Sequence, residues 1–112
     1  MGATRTDHFT DDQNELANWM KAMGHPARIA IIEFLLKTES CICGDIVNEL
    51  PLSQPTVSQH LKELKNVGII QGNIEGTAIC YCLNPETIQR IQNRIGSIFT
   101  ELTRKNAESC CK

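Results

Sequence analysis

Apolar residues recur along this chain with the period of a helix in five stretches and with the period of a strand in one adjacent pair. Over 12–23, Leu16, Trp19, Met20 and Met23 fall at i, i+3, i+4 and i+7. Acidic residues gather at the N-terminal end, where a helix dipole favours them. Such a Trp/Met stripe predicts a core or dimer face, not a ligand box. Gly24 ends that helix, and His25-Pro26 opens the next with Pro in its first turn. His25 reads as a helix-start residue, since no second His or acid stands at chelating spacing. Over 27–37, Ile29, Ala30, Ile32, Phe34, Leu35 and Leu36 are apolar nearly all round, which predicts a central buried helix. Residues 38–43 read as a connector.

The stretch Gly44–Gly68 predicts two helices joined by a tight turn. Ile46, Val47 and Leu50 mark one apolar face, and Pro51 cannot continue that helix. Ser53 is a good N-cap, with Gln54 and Pro55 in the first turn that follows. Val57, Leu61 and Leu64 face the core of this second helix, and Gly68 closes it. Beyond it, Ile69–Ile74 and Thr77–Leu83 alternate as two short strands around Glu75-Gly76. In the second strand Ile79, Tyr81 and Leu83 share one face, and Ala78, Cys80 and Cys82 share the other. Asn84-Pro85-Glu86 starts a last helix, where Ile88, Ile91, Ile95, Ile98 and Leu102 are spaced 3, 4, 3 and 4. That heptad seam is narrower than the stripe a helix needs to sit on a core, so it predicts a dimerisation helix.

The second helix of the Gly44–Gly68 pair has an outward side of Gln54, Thr56, Ser58, Gln59, Lys62 and Lys65. Amides and hydroxyls read base edges and lysines meet phosphates, so this side suits a DNA major groove. Two helices, a tight turn and a following hairpin make a winged helix-turn-helix. The predicted fold is therefore mainly α with a β-hairpin wing, in the order ααααββα, dimeric through its terminal helices. The domain runs over 12–105, with dimerisation helices at 12–23 and 85–105. A flexible N-terminus occupies 1–11 and a Cys-containing tail 106–112.

Charge modifies that picture without reversing it. The 112 residues carry a formal net charge of −2, which counts against a nucleic-acid binder. However, Asp7, Asp11, Asp12 and Glu15 cluster early, while Lys62, Lys65, Arg90, Arg94, Arg104 and Lys105 lie later. No apolar run is long enough to cross a bilayer, and the polar, acidic N-terminus is no signal peptide, which places the chain in the cytosol away from membranes. There the six cysteines are expected to be thiols, suited to soft metals or redox sensing more than to structural disulfides. An enzyme is not expected: there is no Cys-x-x-Cys, Ser/His/acid set or pair of carboxylates.

The cysteines form three close pairs, Cys41/Cys43, Cys80/Cys82 and Cys110/Cys111. Thiolates favour zinc or cuprous copper and, by the same chemistry, cadmium, lead and trivalent arsenic. Cys41 and Cys43 would point about 200° apart within a helix, so joint chelation needs at least one outside it. Cys80 and Cys82 share a strand face and either converge on one ion or serve as small β-compatible residues. Cys110-Cys111 is a vicinal pair that could clamp an arsenical.

The residues MGHPARIAIIEFLL at 23–36, SQPTVSQHLKELKNVGII at 53–70 and CYCLNP at 80–85 resemble the ArsR/SmtB family of metal-responsive winged-helix repressors. The likeness spans about residues 12 to 103, and its Ser-Gln-Pro-x-Val-Ser-x-His-Leu run is much more specific than a generic helix-turn-helix. It implies a homodimer that holds double-stranded operator DNA without metal and releases it when metal binds. By the same resemblance Ser53, Gln54, Thr56, Ser58, Gln59 and His60 lie nearest DNA, with Lys62 and Lys65 alongside. His60 also reads as a residue on the flank of the core face. Relatives often carry Lys or Arg at the wing tip, but Asn73-Ile74-Glu75-Gly76 has neither, so Lys62, Lys65 and Arg28 are expected to carry more of the salt-dependent attraction.

The resemblance also implies metal ligands at Cys41 and Cys43, since arsenic- and cadmium-sensing members have Cys-x-Cys at this place. Arsenic sensors of the best-known type add a third cysteine three residues on, where this chain has Ile46, with Gly44 as an extra residue before Asp45. A third donor must come from elsewhere, with Cys110 or Cys111 of either subunit or an external thiol as candidates. The N-terminal cysteines of the cadmium pattern are absent, as are the His and Asp of the zinc pattern on the last helix. Both absences point to trivalent arsenic or antimony as inducer, with no other cofactor. The alternatives are a thiol redox or persulfide sensor, a sensor of cadmium, lead or zinc on the same fold, and a thiol-based metal carrier without a DNA role.

Overall fold

A capping box opens the first helix. In the computed structural model, which describes residues 8–38, 42–43, 46, 50–75 and 78–107, α1 runs Asp11–Met23. Gln13 donates its backbone N–H to the Thr10 hydroxyl, and its side chain accepts from the Thr10 N–H, both at 3.0 Å. Trp19 and Ala22 turn inward with Leu16 and Met23 beside them, while Met20 lies toward solvent. The Trp19 indole N–H donates to the Val67 carbonyl at 3.0 Å, which ties α1 to the far end of a helix 48 residues away.

α2 spans Pro26–Leu36 and is the central helix, though not buried all round. Ile31, Ile32 and Leu35 are buried, whereas Ile29 and Leu36 are exposed. His25 caps it: its Nδ1 accepts the Ala27 N–H at 3.0 Å, so its role at the helix start is a local backbone one.

The expected connector contains a short strand, β1, Ile42–Cys43. It pairs antiparallel with β3, Ala78–Leu83, which also pairs with β2, Ile70–Glu75, in a sheet of order β1-β3-β2. The middle strand is therefore the second strand of the wing, and the wing is one edge of a three-stranded sheet. A two-residue strand is too short to show alternation, which is why periodicity passes over it. In the hairpin, Ile70 faces Leu83 and Glu75 faces Ala78, leaving a two-residue connection at 76–77. Ile46 is buried in the core, but the rest of the helix expected over 44–50 lies mostly outside the described residues.

α3, Gln54–Asn66, ends as the glycine predicts. Gly68 has φ 82°, its N–H reaches the Lys65 carbonyl, and the Ile69 N–H reaches the Leu64 carbonyl, which together form a Schellman closure. Asn84 then caps α4, Pro85–Ala107, accepting the N–H groups of Glu86 and Thr87 at 3.1 and 3.4 Å. The Asn84 N–H itself donates to the Ile69 carbonyl at 2.9 Å, which pins this cap beside the end of α3. α4 continues to Ala107, two residues into the stretch expected to be tail.

The heptad seam of α4 divides into two halves. Ile91 is buried and Ile88 and Ile95 pack against the core, while Ile98, Phe99 and Leu102 are exposed. The inner half is held on α1 by Arg90, which pairs with Glu15 at 2.6 Å and lies 5.1 Å over the Trp19 ring, and by Arg94 on the Asp12 carbonyl. This half packs into the chain's own core, and the exposed apolar positions are confined to the outer half. Among the described residues no helix is long and apolar enough to cross a membrane.

Candidate nucleic-acid interface and thiol site

α3 is clamped along one side. Val57 and Leu64 are completely buried and Leu61 nearly so, which fixes the helix's rotation about its axis. Ser53, Gln54, Thr56, Ser58, Gln59, Lys62 and Lys65 are all exposed as a consequence. The structure thus brings seven of the eight candidate DNA-contacting residues onto the open side of one helix.

Ser53 occupies the N-cap position, but its hydroxyl does not close the helix. It hydrogen-bonds the Thr56 hydroxyl at 3.0 Å, and no side-chain cap bond to a backbone N–H forms. Gln59 donates from Nε2 to Glu63 at 3.1 Å, one turn along the same helix. These contacts hold polar groups in place on the open side without burying them.

His60 is the exception. It is 8% exposed and points to the flank of the core, so of its two readings the inward one holds. Arg28 Nε donates to His60 Nδ1 at 3.1 Å, and Arg28 Nη1 donates to the Ala22 carbonyl at 3.1 Å. The His25 ring lies 4.4 Å from that of His60. Burial, then the neighbouring His25 and Arg28, push the His60 pKa below its ordinary value, against a smaller opposing pull from Glu63. His60 is thus held neutral as an acceptor for Arg28. Arg28, expected to meet phosphate, is instead engaged in this bridge between α2 and α3. Sequence reading missed the bridge because its partners are 32 residues apart.

Of the cysteine candidates, Cys41, Cys110 and Cys111 lie outside the described residues, and Cys43 is placed by its backbone in β1. The register sets Cys43 opposite Cys80, whose other Cα partner is Asn73 on β2. Cys80 is fully buried at the middle of the sheet, and Cys82, two residues along the same strand, is partly buried. Both are disulfide-bonded, which differs from the free thiols expected of these two. Cys80 stands opposite Cys43 on the antiparallel ladder, where Cα atoms roughly 4.5–5.5 Å apart fall within the span a disulfide requires. Among the residues whose side chains are described, which leave out Cys43, no three His, Cys, Asp or Glu converge as a metal site. The strands nonetheless bring Cys43 to sulfur-bearing positions that sequence reading kept apart. The signal available for this was the matched Cys-x-Cys spacing at 41/43 and 80/82.

Comparison with known proteins identifies the relatives of this fold. Residues 25–71 match the model of "Bacterial regulatory protein, arsR family", a span that holds α2, the turn region and all of α3. The chain is 38% identical over 76 residues to an uncharacterized HTH-type transcriptional regulator of Methanocaldococcus jannaschii, covering 67% of this chain and 84% of that one. It is 31% identical over 86 residues to the arsenical resistance operon repressor of Staphylococcus xylosus, covering 77% and 82% of the two chains. Among solved structures, an ArsR-like transcriptional regulator from Rhodococcus sp. RHA1 superposes with a TM-score of 0.72 at 21% identity, over 88% of this chain and 92% of that one.

Proposed function

The chain belongs to the arsR family of bacterial regulatory proteins, and from that premise we propose that it is a homodimeric repressor that leaves operator DNA when trivalent arsenic or antimony binds its thiolates. One observation carries the DNA half of this reading. α3 is anchored by Val57, Leu61 and Leu64 and turns Ser53, Gln54, Thr56, Ser58, Gln59, Lys62 and Lys65 outward together. Set in a major groove, the amides and hydroxyls address base edges while the two lysines meet phosphates.

The outer half of α4 supports a dimer. Ile98, Phe99 and Leu102 form an exposed apolar stripe on the part of the helix that leaves the core, and a two-fold partner would cover it. Two copies of α3 would then meet half-sites about one DNA turn, or a multiple of it, apart.

For the inducer, Cys41 and Cys43 stand just before the helix-turn-helix. The similar staphylococcal protein is named for arsenical resistance. Two thiols do not complete a three-sulfur site, so this reading needs a further donor. A coupling of about 3 kcal/mol between inducer and DNA shifts operator occupancy roughly a hundredfold. Arsenite titration of fully reduced protein on labelled operator DNA tests it. Wild type is expected to dissociate and Cys41→Ser/Cys43→Ser to remain bound; a double variant that releases DNA normally would sink the Cys41/Cys43 assignment.

A second reading is favoured by the disulfides at Cys80 and Cys82: an oxidant, not a metalloid, drives release. The same titration separates the two, because arsenite acts on reduced thiols and an oxidative switch stays on DNA until an oxidant is added.

A further inference from the structure

We propose that the inducer site straddles two strands, with Cys80 and Cys82 of the wing supplying sulfur to the same metalloid as Cys43. This rests on the arsenic reading above, keeps its Cys43, and puts Cys80 and Cys82 in place of Cys41 and the unnamed donor. Three observations bear on it. Cys43 of β1 and Cys80 of β3 are Cα partners across the antiparallel ladder. Cys82 follows Cys80 by two residues, a spacing that returns side chains to the same face of a strand. Finally, Cys80 and Cys82 are each disulfide-bonded, so each sulfur has another sulfur within bonding reach.

Cross-strand partners and a residue two along the same strand share one sheet face, where reduced thiols are near enough to reach one soft ion. Thiolate–metal bonds are about 2.3 Å long for zinc, and rotation about χ1 turns thiols on one face toward a common ion. The chemistry balances without any change of oxidation state. Arsenous acid, As(OH)3, takes three thiols to give As(SR)3 and three waters. Three As–O bonds break, three As–S bonds form, and each thiol proton leaves with a hydroxide. The disulfides must first be reduced, so the oxidised protein cannot form this site.

The placement also supplies a mechanical link that Cys41 and Cys43 lack by themselves. β1 lies on the chain just before the helix-turn-helix, and β3 is the middle strand of the wing sheet. A metalloid bonded across both strands ties the start of the DNA-reading unit to the wing. A site completed by the tail cysteines would make no such tie.

The test uses full-length protein reduced with a phosphine, which avoids dithiols that compete for arsenite. Reduced protein with and without arsenite is alkylated with iodoacetamide, and the modified cysteines are read by peptide mass spectrometry. Arsenite is expected to protect Cys43, Cys80 and Cys82 and to leave Cys110 and Cys111 reactive. In parallel, Cys80→Ser/Cys82→Ser is expected to hold operator DNA while the arsenite needed for release rises at least a hundredfold. Cys110→Ser/Cys111→Ser is expected to respond within threefold of wild type. Protection of Cys41, Cys43 and the tail pair with Cys80 and Cys82 still alkylated overturns the wing assignment and leaves the arsenic reading standing. Wild type that arsenite neither protects nor releases overturns both. Should buried Cys80 not tolerate serine, the alkylation pattern of wild type and the response of Cys82→Ser decide.

Discussion

α3 and the paired strands β1 and β3 meet in one small fold, yet they are held by different means. α3 is fixed by apolar burial: Val57 and Leu64 are shut off from water, and the Schellman closure at Gly68 ends the helix at a defined residue. β1 is two residues long and is joined to β3 by backbone pairing, with Cys43 opposite Cys80. The first arrangement is indifferent to small solutes, since nothing in it reacts. The second contains Cys80 and Cys82, whose disulfides answer to reductants and oxidants.

The largest effect expected from breaking the contrast is at Leu64. Leu64→Ala removes a fully buried side chain from the clamp under α3 and should cost about 2–5 kcal/mol, read from the denaturant midpoint. A loss well under that range would mean α3 is not anchored as described. Next is the Arg28–His60 bridge. The His60 pKa is lowered in the fold, so the unfolded chain takes up the proton first as pH falls. The stability contributed by neutral His60 is complete above about pH 6.5 and is lost as pH falls through the lower folded value. Wild type should therefore weaken between pH 7.5 and 5, and His60→Gln should show a shallower loss over the same interval. Equal slopes would remove His60 from the account. The smallest effect belongs to Ser53→Ala. Because its hydroxyl bonds Thr56 and not a backbone N–H, stability should change by less than about 0.5 kcal/mol, below the usual cost of losing an N-cap. A loss of about 1 kcal/mol or more would restore Ser53 as a structural cap.

Much of α3 and its neighbours was legible because the signals are local. Gly68, Asn84 and Pro85 act within four residues of themselves, and Val57, Leu61 and Leu64 state their own periodicity. What escaped depends on distant partners. β1 is defined by β3, some forty residues on, and two residues carry no period to detect. His60 sits near the edge of the polar face, and only Arg28, from another helix, draws it inward. The α4 seam reads alike from Ile88 to Leu102. Only the packing of α1 on its first half separates subunit core from exposed stripe.

Trp19 gives the molecule an optical gauge of its own. It is the sole tryptophan in the chain, so all indole emission arises from one place. There its N–H holds the Val67 carbonyl just past α3, and the Arg90 guanidinium covers its ring from α4. Any rearrangement that slides the end of α3 against α1 or α4 alters both the hydrogen bond and the charge beside the fluorophore. Unlabelled protein can thus signal a movement of α3 as a change in emission wavelength.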